Sequence, residues 1–144
     1  MADAVARTWW EVDAAKDESP LDARRRAAQY LTAEFAQLNT QELPSSPGHW
    51  WNVLAHDKAR YKVTVTSADE AVGVDEQAHD TATMTSRARL VELIPVNNEG
   101  RTGDTRVVLM TLDLYRPSSA DAWLVDDMTM DEAADLSKSP QDFG

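Results

Sequence analysis

The pattern of apolar and polar residues changes its period partway along the chain. Near the start, Val5, Trp9 and Val12 recur at the spacing of one face of a helix. A second helix is predicted from Ser19 to about Leu38, since a serine followed by a proline suits a helix start. Its apolar residues form one stripe along the helix: Leu21, Ala28, Leu31, Phe35 and Leu38.

A third, shorter helix of about three turns is predicted between Ser46-Pro47 and Tyr61. A loop rich in proline, serine and glycine precedes it and supplies a second serine-proline helix start. Trp50 and Trp51 lie in this helix. We expect one of them to close one end of the hydrophobic core rather than to bind a cofactor.

From Arg60 onward apolar and polar residues alternate, which is typical of half-buried strands. Four strands are predicted, over residues 61–66, 81–96, 105–116 and 122–130. The second changes phase at residues 91–94, where we expect a β-bulge. Turn residues at 97–104 predict a hairpin between the second and third strands. Residues 67–80 are predicted as an acidic loop, with or without a poorly formed strand through 72–74.

The third strand has the clearest alternation of apolar and polar residues. One face carries four apolar residues: Val108, Met110, Leu112 and Leu114. Asp113 lies on the other face. Facing the interior, it would need a partner such as Arg89 or Arg116, whereas facing solvent it would have no special role. Solvent exposure is favoured, although a slip of one residue would exchange the two faces.

Helices followed by a run of strands predict an α+β domain in which a curved, mainly antiparallel sheet of about four strands wraps around the helices. We expect residues 1–18 to form an N-terminal helix, residues 19–130 the α+β domain, and residues 131–144 a disordered acidic tail. A chain of 144 residues fits one such domain better than two.

Charge narrows the choice of partners. The formal net charge is −11, from 14 basic and 25 acidic residues, which argues against nucleic acid and acidic membrane surfaces as partners. A local basic patch is limited to Arg24, Arg25 and Arg26. Cysteine is absent, so the chain has no disulfide, thiolate nucleophile or cysteine-based metal site. No apolar run reaches the roughly 18–20 residues of a membrane-spanning helix.

Three stretches carry a resemblance to a known superfamily: SPLDARRRAAQYLTAEFA in the long helix, WWNVLAHDKARYKVTV leading into the sheet, and LYRPSSADAWLVDDMTM at its end. Over about residues 19–130 the chain resembles the cystatin-like or nuclear-transport-factor-two-like superfamily. Within it, the chain is most similar to extracytoplasmic domains of membrane-anchored scaffold subunits in Gram-positive conjugative type IV secretion systems. The resemblance implies that residues 1–18 form a stalk-like helix and residues 19–130 a cone-shaped domain. It also implies a non-enzymatic scaffold without a cofactor, whose partners are other channel subunits and copies of itself.

The first helix begins without a preceding lead, so we expect a longer natural chain with a single-pass anchor upstream of Met1, which would place the domain at the extracytoplasmic face of the cell membrane. On that hypothesis Trp9 and Trp10 lie at a membrane interface or against a partner helix, with Arg24 and Arg25 as further interaction residues. The alternative is that the two indoles pack on the sheet.

The alternative function is a cone-type enzyme or small-ligand binder of the isomerase or dehydratase kind. Its pocket would be lined by Trp50, Tyr61, Leu112, Asp113 and Trp123. The titratable candidates for its chemistry match no catalytic spacing: His49, His56, Asp57, Tyr61, Asp113, Tyr115 and Asp126. We therefore predict no catalytic residue.

Metal binding is not predicted either. His49 and His56 are seven residues apart, too far for the i, i+4 pairing of helical zinc ligands. The acidic stretch around His79 and Asp80 lacks the ligand order of a calcium loop.

Overall fold

A computed structural model describes residues 1–41, 49–69 and 81–132. Its helices are α1 (Ala2–Trp10), α2 (Pro20–Ala27), α3 (Ala33–Asn39) and α4 (His49–Asp57), with a 3₁₀ turn at Ala28–Tyr30. Its strands are β1 (Arg60–Ser67), β2 (Met84–Val96), β3 (Arg106–Tyr115) and β4 (Leu124–Glu132). The strand predicted as an alternative at 72–74 and most of the predicted tail lie outside the described residues.

The four strands form one antiparallel sheet in the order β1-β2-β3-β4. The helices pack on one face of this curved sheet, which confirms the predicted α+β class. We call that face the inner face. The four apolar residues predicted to share a face of β3 are all buried there. Strand residues from the rest of the sheet join them in the core: Val63, Val91, Leu93 and Val125.

Helix α1 is part of the same core as the sheet. Val5 and Ala6 are fully buried, and Trp9 and Trp10 are each only 6% exposed. The chain after the helix continues along the edge of β1, where the Tyr61 backbone N–H donates to the Val12 carbonyl at 3.2 Å. Of the two alternatives for the tryptophan pair, the structure has the packed one. The segment predicted as a stalk thus begins with a helix that lies against the sheet.

The prediction of a single helix from Ser19 to Leu38 was wrong, because the helix is interrupted at Leu31 and Thr32. Leu31 is extended and forms a parallel bridge with Val125, and the Thr32 N–H donates to the Val125 carbonyl at 2.9 Å. The Thr32 hydroxyl then accepts from the Phe35 N–H and caps α3. The break rotates the apolar stripe, so that Leu38 is 73% exposed.

The β-bulge was predicted in the wrong strand. Pairing is continuous through residues 91–94 of β2 on both sides. The shift lies between β3 and β4, where Asp113 and Leu114 face Asp127 and Val125 and leave Asp126 as the extra residue. Asp126 accepts a hydrogen bond from the Thr32 hydroxyl at 3.2 Å. The bulge therefore aims a carboxylate at the start of α3.

Arg89 joins the first helix to the end of β1. Its Nε donates to Asp3 in α1 at 2.6 Å, and its Nη1 donates to Asp69 at 3.2 Å. Asp69 also accepts from the Ala88 backbone N–H at 2.6 Å. Partial burial acts to raise the pKa of Asp69, but the Ala88 hydrogen bond and the Arg89 guanidinium outweigh it, so the pKa lies below its ordinary value.

This network predicts a pH-dependent contribution to stability. Because the folded-state pKa of Asp69 is lowered, its carboxylate stabilises the fold fully above the unfolded pKa of about 3.9, and this stabilisation is lost as the pH falls through the folded value. Asp69→Asn should lower the free energy of unfolding by about 1–3 kcal/mol at pH 7. Urea unfolding from pH 7 to about pH 2.5 should show that difference shrinking in acid.

The exposed Asp104 supplies the control. Asp104→Asn should change stability by no more than about 0.5 kcal/mol at any pH. A deficit of Asp69→Asn that stays constant down to acid pH would contradict the proposed role of the ionised carboxylate.

Candidate functional site

The five residues predicted to line one pocket are not all brought together by the fold. Trp50 and Tyr61 stack, with ring centroids 5.9 Å apart and an interplanar angle of 21°. Asp113 is exposed on the opposite face of the sheet, where it accepts from the Ser86 hydroxyl at 2.7 Å. Trp123 precedes β4 and lies under the Arg116 guanidinium, 4.1 Å from Cζ to the ring centroid. Only Trp50 and Tyr61 thus belong to one site.

A cluster of three aromatic rings surrounds the Arg106 side chain. Trp10 comes from the end of α1, Trp50 from α4, Tyr61 from β1, and Arg106 is the first residue of β3. The Arg106 Cζ lies 5.1 Å from the Trp10 ring centroid and 5.3 Å from that of Trp50. The indoles of Trp10 and Trp50 meet edge to face at 5.4 Å. We call these four residues the aromatic-arginine cluster.

The sequence analysis missed Arg106, although a signal was present. Arg106 precedes Val108 by two residues and pairs with the buried Leu93 in register, so it belongs to the inner face of β3. A charged residue in the apolar phase of a strand needs a partner. Continuing the alternation of β3 back to its first residue would have identified it.

Glu132 is that partner. It pairs with Val108 in register and therefore shares the inner face, and its Oε1 accepts from both Nε and Nη2 of Arg106, with 2.6 Å to Nε. Burial acts to lower the pKa of Arg106, but hydrogen bonds to Glu132 and Tyr61 outweigh it and the pKa is raised. Arg106 is therefore held in its charged form.

Two donors in this cluster lack an acceptor. Within the described part of the chain, Arg106 Nη1 and Trp10 Nε1 are buried without a hydrogen-bond partner. Burial raises the pKa of the Tyr61 phenol, although its contact with Arg106 opposes the shift. Tyr61 is consequently neutral at physiological pH. The cluster thus presents an excess of hydrogen-bond donors.

A cleft of about 320 Å³ lies beside the aromatic-arginine cluster, between α4 and the loop that joins β2 to β3. Its apolar side includes Trp50, Tyr61 and Pro95. Its charged residues are two arginines and two aspartates: Asp57, Arg101, Asp104 and Arg106. We refer to it as the cleft.

The loop that forms one side of the cleft has a defined turn. The Asn97 side-chain oxygen accepts from the backbone N–H groups of Glu99 and Arg101, each at 2.9 Å, and Gly100 has a φ of +82°, which favours glycine. Gly103 packs so closely on the opposite strand that an added Cβ would lie 2.9 Å from Pro95 Cγ. These contacts hold the loop in one conformation and so fix the position of Arg101 at the side of the cleft.

The residues considered for catalysis lie apart from the cluster, Tyr61 excepted. His49, His56 and Asp57 are exposed on α4, and Tyr115 is 39% exposed at the far end of β3. Among the residues described, no group of three or more possible metal ligands occurs. His79 and Asp80 fall outside that part.

The predicted interaction residues lie along α1 and α2. The Arg24 guanidinium stacks on the Trp9 ring at 5.1 Å, and burial lowers the pKa of Arg24. Arg25 is exposed and pairs with Asp22 at 3.5 Å on the same helix. Trp9 and Trp10 contribute to the core. Among these four, Arg25 is the exposed residue.

The second face of the sheet, which we call the outer face, carries an apolar centre between charged corners. Leu90 is 37% exposed there and pairs with the half-buried Leu109, while the half-buried Val107 and Ile94 lie beside Glu92 farther along the same face. Arg60 and Lys62 lie at the start of β1, and Asp127 and Asp131 lie on β4 at the other edge. Glu92 adds an acidic group near the centre.

Comparison with protein-family models, with curated proteins and with solved structures gives no significant match. No described helix has both the length and the apolar character needed to cross a membrane.

Proposed function

We propose that this chain is a non-enzymatic scaffold domain that acts through protein-protein contacts made by the outer face of its sheet. The observation that carries the proposal is the apolar centre of that face, formed by Leu90 and its neighbours, with described helices packed only on the inner face. Apolar surface of this kind, bordered by charge, is typical of interaction sites.

The charges of the outer face favour a second copy of the chain as one partner. Arg60 and Lys62 lie at one corner, and the exposed Asp127 and Asp131 lie toward the opposite edge. A two-fold axis in the plane between two facing sheets can place the basic corner of one copy over the acidic edge of the other. Such an isologous contact buries both apolar centres and pairs the charges twice.

The wider setting follows from the sequence resemblance. A cone-shaped α+β domain that associates with itself and with other subunits fits a component of a conjugative or type IV secretion machine. On this proposal an anchor outside the present sequence holds the domain at the extracytoplasmic face of the cell membrane. The fold class is consistent with this proposal. The type IV secretion machine and the extracytoplasmic location are what the sequence resemblance implies.

Charge reversal on the outer face tests the proposed self-association. Light scattering after size-exclusion chromatography should show a concentration-dependent dimer of the full 144-residue chain. Lys62→Glu and Asp131→Lys should each weaken the dimer by about tenfold, because each replaces an attractive pair with a repulsive one. Combining the two variants should restore much of the affinity, since the opposite charges then face each other again.

Lys16→Glu reverses an exposed charge outside the outer face and serves as the control. It should leave the dimer unchanged. A chain that stays monomeric up to about 1 mM, or a double variant weaker than both single variants, would contradict self-association through this face.

A further inference from the structure

We propose that the cleft binds a small zwitterion with an aromatic side group, of which an aromatic amino acid is the simplest example. This goes beyond the scaffold function, because it assigns a ligand site to a different part of the molecule.

The cleft has the size and one apolar side that a small planar group requires. Its volume of about 320 Å³ is at the lower end of the range for ligand sites, about 300–1,000 Å³. Trp50 and Tyr61 stack on each other beside it, and Pro95 adds an apolar contact from β2. A single aromatic ring can therefore pack against fixed rings instead of flexible side chains.

Four charges surround this apolar wall, two of each sign. Arg101 is 82% exposed, and its ion pair with Glu99 is long, at 3.8 Å. Asp57 and Asp104 are exposed, and neither has an ion pair or side-chain hydrogen bond to another described residue. Within the described ranges, the fold therefore gives no close ion-pair partner to three charged residues of the cleft: Asp57, Arg101 and Asp104.

The balance of charge decides which ligand fits. A simple carboxylate would lie near the two aspartates, and a simple amine would lie near Arg101, whose only ion pair among the described residues is long, whereas Arg106 is held by Glu132. An α-amino acid presents a carboxylate to Arg101 and an ammonium group to Asp57 or Asp104.

Three probes with the same phenyl ring separate these possibilities. Isothermal titration of the full chain should show L-phenylalanine binding with a dissociation constant between about 10 μM and 1 mM. 3-Phenylpropionate has only the carboxylate and phenethylamine only the ammonium group, and each should bind about tenfold more weakly. Equal binding of all three, or no saturation by L-phenylalanine at about 10 mM, would overturn the proposal.

Three variants at exposed positions assign the ends of the ligand without disturbing the core. Arg101→Gln should weaken L-phenylalanine binding about tenfold and leave phenethylamine binding unchanged. Asp57→Asn or Asp104→Asn should weaken L-phenylalanine binding by a similar factor, and neither should weaken the binding of 3-phenylpropionate, which has no ammonium group. Lys16→Gln and Glu34→Gln remove exposed charges outside the cleft and should have no effect. Loss of affinity in the controls equal to that in the cleft variants would overturn the site.

Discussion

Replacing Trp10 by alanine is expected to lower the free energy of unfolding by about 3–5 kcal/mol. Trp10 is 6% exposed and contacts three other members of the aromatic-arginine cluster: its ring centroid lies 5.4 Å from Trp50, 6.3 Å from Tyr61 and 5.1 Å from the Arg106 Cζ. The substitution leaves a cavity among these groups and removes one of the two indoles that stack on a half-buried guanidinium.

Urea unfolding followed by far-UV circular dichroism measures this loss without relying on tryptophan fluorescence. Trp10→Phe keeps a ring in the cluster and should recover more than half of the stability. Trp123→Ala, which removes a half-buried indole at the other end of the sheet, should cost only about 1–2 kcal/mol. Equal losses for Trp10→Ala and Trp123→Ala would mean that the cluster contributes nothing beyond ordinary burial.

The second large effect is expected at Leu112, whose side chain is fully buried in the centre of β3. Leu112→Ala should cost about 2–5 kcal/mol, since it removes apolar contacts and leaves a cavity between the sheet and the helices. The same substitution at Leu38, which is 73% exposed, should change stability by no more than about 0.5 kcal/mol.

This pair of leucines tests the helix break as well as the core. An unbroken helix from Ser19 would place Leu38 in the apolar stripe and make Leu38→Ala costly. A loss above about 1.5 kcal/mol at Leu38 would therefore contradict the break at Leu31 and Thr32.

The strands could be predicted from the sequence because their information is local. Alternation in β3 places Leu112 on the buried side and Asp113 on the exposed side with no knowledge of the rest of the chain. The hairpin between β2 and β3 follows equally from its turn residues. A slip of one residue would have exchanged the two faces of β3. The pairing of β3 with β2 is continuous through this region, so no such slip occurs.

The helix break depends on a partner that is distant in the sequence. Leu31 and Thr32 leave the helix because Val125, in the last strand, offers them a bridge and a backbone acceptor. The helical periodicity from Ser19 to Leu38 gives no information about Val125, so the interruption could not be predicted from it. Tertiary hydrogen bonds thus overrode a favourable local pattern.

The candidate site was predicted only in part for the same reason. Trp50 and Tyr61 lie close together along the chain, and the structure brings them together. Asp113 and Trp123 were grouped with them by residue type, yet they lie on another face and at another end of the sheet. Arg106 and Glu132 meet through the pairing of β3 with β4, which residue spacing alone does not predict.

The position of Trp10 also has a consequence for synthesis of the chain. Its indole packs on Arg106, and Arg106 is held by Glu132, so the environment of the first helix is completed only when β4 has formed. At about 5–20 residues per second, a ribosome needs several seconds to translate from Trp10 to Glu132. During that interval the Trp10 indole is without Arg106, one of its native neighbours, and the exposed ring makes the incomplete chain more prone to aggregate than the folded protein.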